Sequence, residues 1–89
     1  LKGSEQKQVV LDVEPDKAPY FDRKEYHPSQ TIQEHRDDGS LRVAFEVASL
    51  DDIAAFIRSW GPGVRVVTPT ALAERIAEEA REMAEAYGA

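Results

Sequence analysis

Two histidines, a scatter of carboxylates and a few arginines are the only residues in this 89-residue chain whose types and spacing invite chemistry. His35 stands beside Glu34, Asp37 and Asp38, residue types that ligate metal ions. A zinc site needs three or four ligands at set spacing, however, and Asp38-Gly39 already explains its carboxylate as a turn residue. No metal site is expected. Serines occur at positions 4, 29, 40, 49 and 59, each in a linker, a turn, a cap position or a helix end, and none has the strand-to-helix setting of a nucleophile. With no cysteine there is no thiol nucleophile, thiolate ligand or disulfide. No catalytic constellation emerges, so the chain reads as a non-enzyme without a cofactor. His27 and Gln30 flank Pro28 and Ser29, where they either organise a loop by satisfying backbone groups or meet a ligand directly; the first account is the plainer one. Arg42 and Arg65 alternate with apolar residues in two strand-like segments, with His35 and Arg36 on a neighbouring segment. Such a set suits phosphate binding. The plainer account is a solvated sheet face with cross-strand pairs, such as Arg42 against a glutamate.

The elements that would position these residues follow from periodicity. Gln8 to Glu14 alternates, with Val9, Leu11 and Val13 on one face and Val10, Asp12 and Glu14 on the other: a half-buried strand that Pro15 ends. Ala18 to Glu25 predicts a short helix. The His27-Pro28-Ser29 bend separates it from a weakly patterned strand over Gln30 to Asp37. Asp38-Gly39 predicts a two-residue hairpin turn into the clearest strand, Leu41 to Val47, with Leu41, Val43, Phe45 and Val47 inward. Ser49 caps a helix whose stripe is Leu50, Ile53, Ile57 and Trp60, and Trp60 is expected in the core. Gly61-Pro62-Gly63 stops it, and Val64 to Val67 makes a fourth strand. Thr68 as N-cap and Pro69 at the first helical position start a last helix with the stripe Leu72, Ile76, Ala80, Met83 and Tyr87. The order predicts an α+β fold: a ferredoxin-like β-α-β-β-α-β split sandwich with a four-stranded antiparallel sheet, plus a C-terminal helix. Right-handed crossovers put the first two helices on one sheet face and leave the other for the last helix or a partner.

Size and charge bound the rest. Residues 1–7 read as a linker, or as a remnant at the start of a piece of a longer protein, and residues 8–87 as one domain. A domain this small, without covalent staples, gains from a partner surface. No apolar run is long enough for a membrane span, and a reducing cytoplasmic compartment is the default expectation. The net charge is −6, but residues 70–89 carry five glutamates against Arg75 and Arg81, so half of the excess sits on the last helix. The domain is therefore no general polyanion binder, although a local basic face is compatible with it.

Three stretches, in order, resemble the C-terminal extension, or WCX domain, of WYL-domain transcriptional regulators of bacteria. They are Tyr26-His27-Pro28-Ser29-Gln30, Asp38-Gly39-Ser40 leading into the Leu41–Val47 strand, and Ser59-Trp60-Gly61-Pro62 followed by a valine-rich strand and Pro69-x-x-Leu72. The resemblance covers roughly residues 8–86. It implies a regulatory module that follows a helix-turn-helix and a WYL β-barrel in the full-length protein. It further implies an effector pocket shared with that barrel, single-stranded nucleic acid as one class of effector, and a homodimer in some relatives. On that footing Arg42, Arg65, His35, Arg36, His27 and Gln30 are the candidate effector-binding residues. The competing reading is a dimerisation module without ligand contact, associating through an open sheet face or edge that a domain this small gains from burying.

Overall fold

The structure is a computed structural model and describes residues 6–88. Strand β1 (Lys7–Val13) is followed by α1 (Ala18–Arg23), β2 (Thr31–His35), β3 (Leu41–Val47) and α2 (Leu50–Arg58). A single 3-10 turn at Gly61–Gly63 leads into β4 (Val64–Thr68), and α3 (Thr70–Ala86) closes the chain. The four strands form one antiparallel sheet in the order β2-β3-β1-β4, so the fold is α+β with β1 and β3 as its inner strands. Of the stretch read as linker, Lys7 already pairs with Val47, and residues 1–5 lie outside the described residues.

Alternation places the core on one face of the sheet. Val9, Leu11 and Val13 of β1, Leu41, Val43, Phe45 and Val47 of β3, and Val64 and Val66 of β4 are all buried there. Ala18 and Phe21 of α1, Ile53, Ala54 and Ile57 of α2, and Leu72 of α3 complete the same cluster. All three helices therefore serve one face, and no helix among the described residues supplies a buried side chain to the other. Phe21, Tyr26, Phe56 and Trp60 gather at one end of the core, with Phe21 and Trp60 centroids 4.9 Å apart. Trp60 is packed against the core, not sealed within it, yet its indole N–H is buried without a partner.

Four boundaries differ from expectation, each for a local reason. The hairpin turn has three residues, Asp37-Asp38-Gly39: the Gly39 N–H donates to the Arg36 carbonyl and the Arg36 N–H to that of Ser40, both at 2.9 Å. Gly39 takes φ +94°, the positive-φ position that follows a type I turn in such loops. The Asp38 carboxylate accepts from the Ser40 N–H and hydroxyl, which holds it below its ordinary pKa. Helix α1 ends at Arg23 because Lys24 is already extended. Strand β2 is shorter than expected and carries a register shift between Ile32 and Glu34. Helix α3 begins at Thr70 with Pro69 as its N-cap residue, because Thr68 belongs to β4 and pairs with Val10.

The stripe of α3 is used only in part. Leu72 is buried and Ala73 and Ile76 pack against the core, but Ala80 is exposed, as are Met83 (62%) and Tyr87 (86%). The first turns are tied to α2 by Arg58 Nε donating to Glu79 Oε1 at 2.6 Å and Arg75 Nη1 to Asp51 Oδ1 at 2.7 Å. The helix thus lies beside α2 and leaves the far sheet face open.

Candidate functional site

The open sheet face is where arginines collect. Asp12 sits on inner strand β1, in register with Arg42 of β3 on one side and Arg65 of β4 on the other. Residues opposite one another on adjacent strands have Cβ atoms about 5 Å apart, so long side chains from both flanks can meet over the strand between them. They do. Asp12 Oδ1 accepts from Arg42 Nε at 2.9 Å and Arg36 Nη2 at 3.2 Å. Asp12 Oδ2 accepts from Arg42 Nη2 at 3.3 Å and Arg65 Nη2 at 3.2 Å. Arg36 reaches in from just beyond β2 and also donates through Nε to Glu34 Oε1 at 2.9 Å. Three guanidiniums are hydrogen-bonded to two carboxylates, and Asp38 lies close enough to Arg36 to feel its charge, so the cluster is balanced in charge.

Burial differs across this cluster. The Asp12 side chain is only 12% exposed, those of Arg36 and Arg42 are 31% exposed, and that of Arg65 is 68% exposed. The Arg42 hydrogen bonds hold the Asp12 carboxyl below its usual range against the opposing pull of burial, with Arg36 assisting. Its charge correspondingly raises Arg42. Asp12 is thus a fixed anion beneath a layer of arginines. Each guanidinium carries five N–H groups in a planar fork, so only a minority of the donors is spent on Asp12 and Glu34.

The other candidates lie elsewhere. His35 is opposite Leu41, a core residue, so it leans toward the helix side, where its Nε2 lies 3.2 Å from Asp22 Oδ1 of α1. It does not join the arginines. His27 and Gln30 build the loop between α1 and β2. Gln30 Oε1 accepts from the Tyr26 N–H at 2.8 Å, while Nε2 donates to the carbonyls of Phe21 at 3.2 Å and Lys24 at 3.1 Å. His27 Nδ1 accepts from the Ser29 N–H at 3.1 Å and also contacts the Ser29 hydroxyl at 2.7 Å, so the neutral ring carries its proton on Nε2. Ser29 Oγ in turn accepts from the Glu46 N–H at 2.8 Å and bonds the Glu46 carbonyl at 3.1 Å, extending the β2–β3 pairing through a side chain.

Among the described residues, no group of three or more potential ligands could hold a metal ion, and no helix is long and apolar enough to cross a membrane. A cleft of about 320 Å³ opens at the end of β3, lined by Tyr26, His27, Phe45, Val47, Ile53 and Phe56 with Asp52 at its edge. Its walls are mainly apolar, and its one imidazole is occupied with the loop.

With this geometry in hand, comparison with known families is decisive over most of the chain: the WCX domain matches residues 5–84. The chain belongs to the WCX domain family. No curated protein matches it closely enough to add a named relative. Within this WCX domain, Asp12 is the residue the sequence argument passed over. An aspartate amid Val9-Val10-Leu11 and Val13 is out of place in an inner strand, where Asp is disfavoured, and that mismatch is the signal that a partner must exist.

Proposed function

We propose that this WCX domain is a non-catalytic regulatory module of a WYL-type transcriptional regulator, and that its arginine-bearing sheet face forms one wall of an effector pocket. A strand of single-stranded nucleic acid is the effector class this face suits. The observation that carries the proposal is the Arg36-Arg42-Arg65 layer on a sheet face that no described helix covers. Phosphates are recognised by such forked donors, and sequence-independent contact with them needs charge and hydrogen bonds without base readout. The element order and the strand order β2-β3-β1-β4 support the ferredoxin-like reading, in which two β-α-β halves leave one sheet face open. The remaining wall and most of the positive charge would come from the WYL barrel of the full-length protein, working with a helix-turn-helix in the cytoplasm.

A second reading, dimerisation, is favoured by Met83 and Tyr87, which extend an apolar stripe past the point where α3 packs on its own domain. The two readings part in one experiment. In the full-length protein, Arg42→Ala and Arg65→Ala should each weaken binding of single-stranded oligonucleotides of any sequence. Each should also lower the salt slope by about 0.7 per lost phosphate contact. Unchanged affinity and slope in both variants would remove the arginine face from the pocket and leave dimerisation as the better account.

A further inference from the structure

The arginine face is organised around a residue that cannot itself attract an anion. Arg36, Arg42 and Arg65 come from three different parts of the sheet, and one carboxylate receives hydrogen bonds from all of them. Without it, three like charges would sit within reach of one another, with only Arg36 still held, by Glu34. The carboxylate lies beneath the guanidiniums and is nearly enclosed, so it does not compete for the solvent side. Asp12 comes from a central strand paired on both edges, so its backbone is the best-fixed point of the face.

We propose that Asp12 is the positioning residue of this face: it locks Arg36, Arg42 and Arg65 into one outward-facing donor array that fits a phosphodiester backbone. This rests on the reading of the face as an effector wall and adds how its affinity is set. A rigid array loses less side-chain entropy on binding than three free arginines, each of which would otherwise have to be immobilised. The contrary view is that Asp12 merely offsets positive charge. The two views predict opposite signs for one substitution. Asp12→Asn adds one net positive charge. If charge alone governs, the variant binds a polyanion more tightly and with a steeper salt slope. If position governs, it binds more weakly despite the added charge.

The test uses the full-length protein and a labelled oligothymidylate, with affinity measured over a range of salt concentrations and folding followed by circular dichroism. Arg65→Ala tests the underlying reading, and Asp12→Asn tests the proposal. We expect Asp12→Asn to lose roughly tenfold in affinity, the scale of one charge-assisted hydrogen bond, without a steeper salt slope. Tighter or equal binding with a steeper slope would overturn the positioning role while leaving the effector wall intact. Should Asp12→Asn fail to fold, Asp12→Glu carries the test, because it keeps the charge and displaces the carboxylate by one methylene. Weaker binding supports positioning, and wild-type binding overturns it. If Arg65→Ala and Arg42→Ala are both silent, the effector wall itself falls and the Asp12 proposal falls with it.

Discussion

Gln30 is the sharpest place to separate a structural residue from a ligand-binding one. Its amide accepts from the Tyr26 N–H and donates to the carbonyls of Phe21 and Lys24, so it closes the end of α1 and fixes the bend into β2. Replacing it with Ala leaves those three backbone groups without their partner. The bonds to Tyr26 and Phe21 are partly buried, and at about 1 kcal/mol net apiece they set a loss of about 2 kcal/mol. The bond to Lys24 is exposed, and water replaces it at little cost. For a domain of this size the same figure is a fall in Tm of about 8–16 °C. Gln30→Glu sharpens the assignment. An ionised carboxylate still accepts from Tyr26 but sets an acceptor against two carbonyls, so it should destabilise at least as much as Ala. Urea and thermal denaturation measure both. If Gln30→Ala costs under about 0.5 kcal/mol while abolishing effector binding, the loop-clamp account is wrong and Gln30 touches ligand.

Two further outcomes follow from the core and from the buried carboxylate. Phe45 of β3 is 1% exposed on the core face, so Phe45→Ala should cost about 3–5 kcal/mol; an unfolding free energy within about 1 kcal/mol of wild type would show that the site collapses around the gap. Asp12 has a folded pKa below its ordinary value of 3.8, so its ionised form stabilises the fold at all pH above that value, and the contribution disappears as pH falls through the folded pKa. The stability difference between wild type and Asp12→Asn should therefore be flat near neutrality and shrink toward acid, and a difference independent of pH down to the acid limit would contradict the ion-pair geometry.

The alternation of β1 and β3 named the core face correctly, because a period of two fixes which side chains share a face. It did not say how exposed the opposite face would be. Val10 and Asp12, placed outward by the same alternation, are 8% and 9% exposed. Arginine side chains from neighbouring segments meet over the inner strand, and that depends on the register between β1, β3 and β4, a long-range property no local pattern carries. For the same reason the arginine partner expected as a glutamate is Asp12. Arg36 and His35 were grouped by adjacency, yet neighbours on a strand point to opposite faces, and the structure separates them accordingly. His27 and Gln30 were legible as loop organisers because a polar pair around Pro28 has backbone to satisfy. The exact turn at Asp37-Asp38-Gly39 was not, since a dipeptide signal does not count the loop.

Charge segregation gives the net value of −6 a different meaning. The glutamates of α3 lie on the helix side, where Glu79 pairs with Arg58 and Arg75 and where Asp51 takes a second bond from Arg75. Three of the arginines gather instead on the opposite sheet face, around Asp12. The two sides thus differ in charge, and the screening length of about 8 Å at physiological salt is short enough to keep them electrostatically distinct. The exposed end of α3 belongs to the same acidic side, with Met83 and Tyr87 set among Glu82 and Glu85.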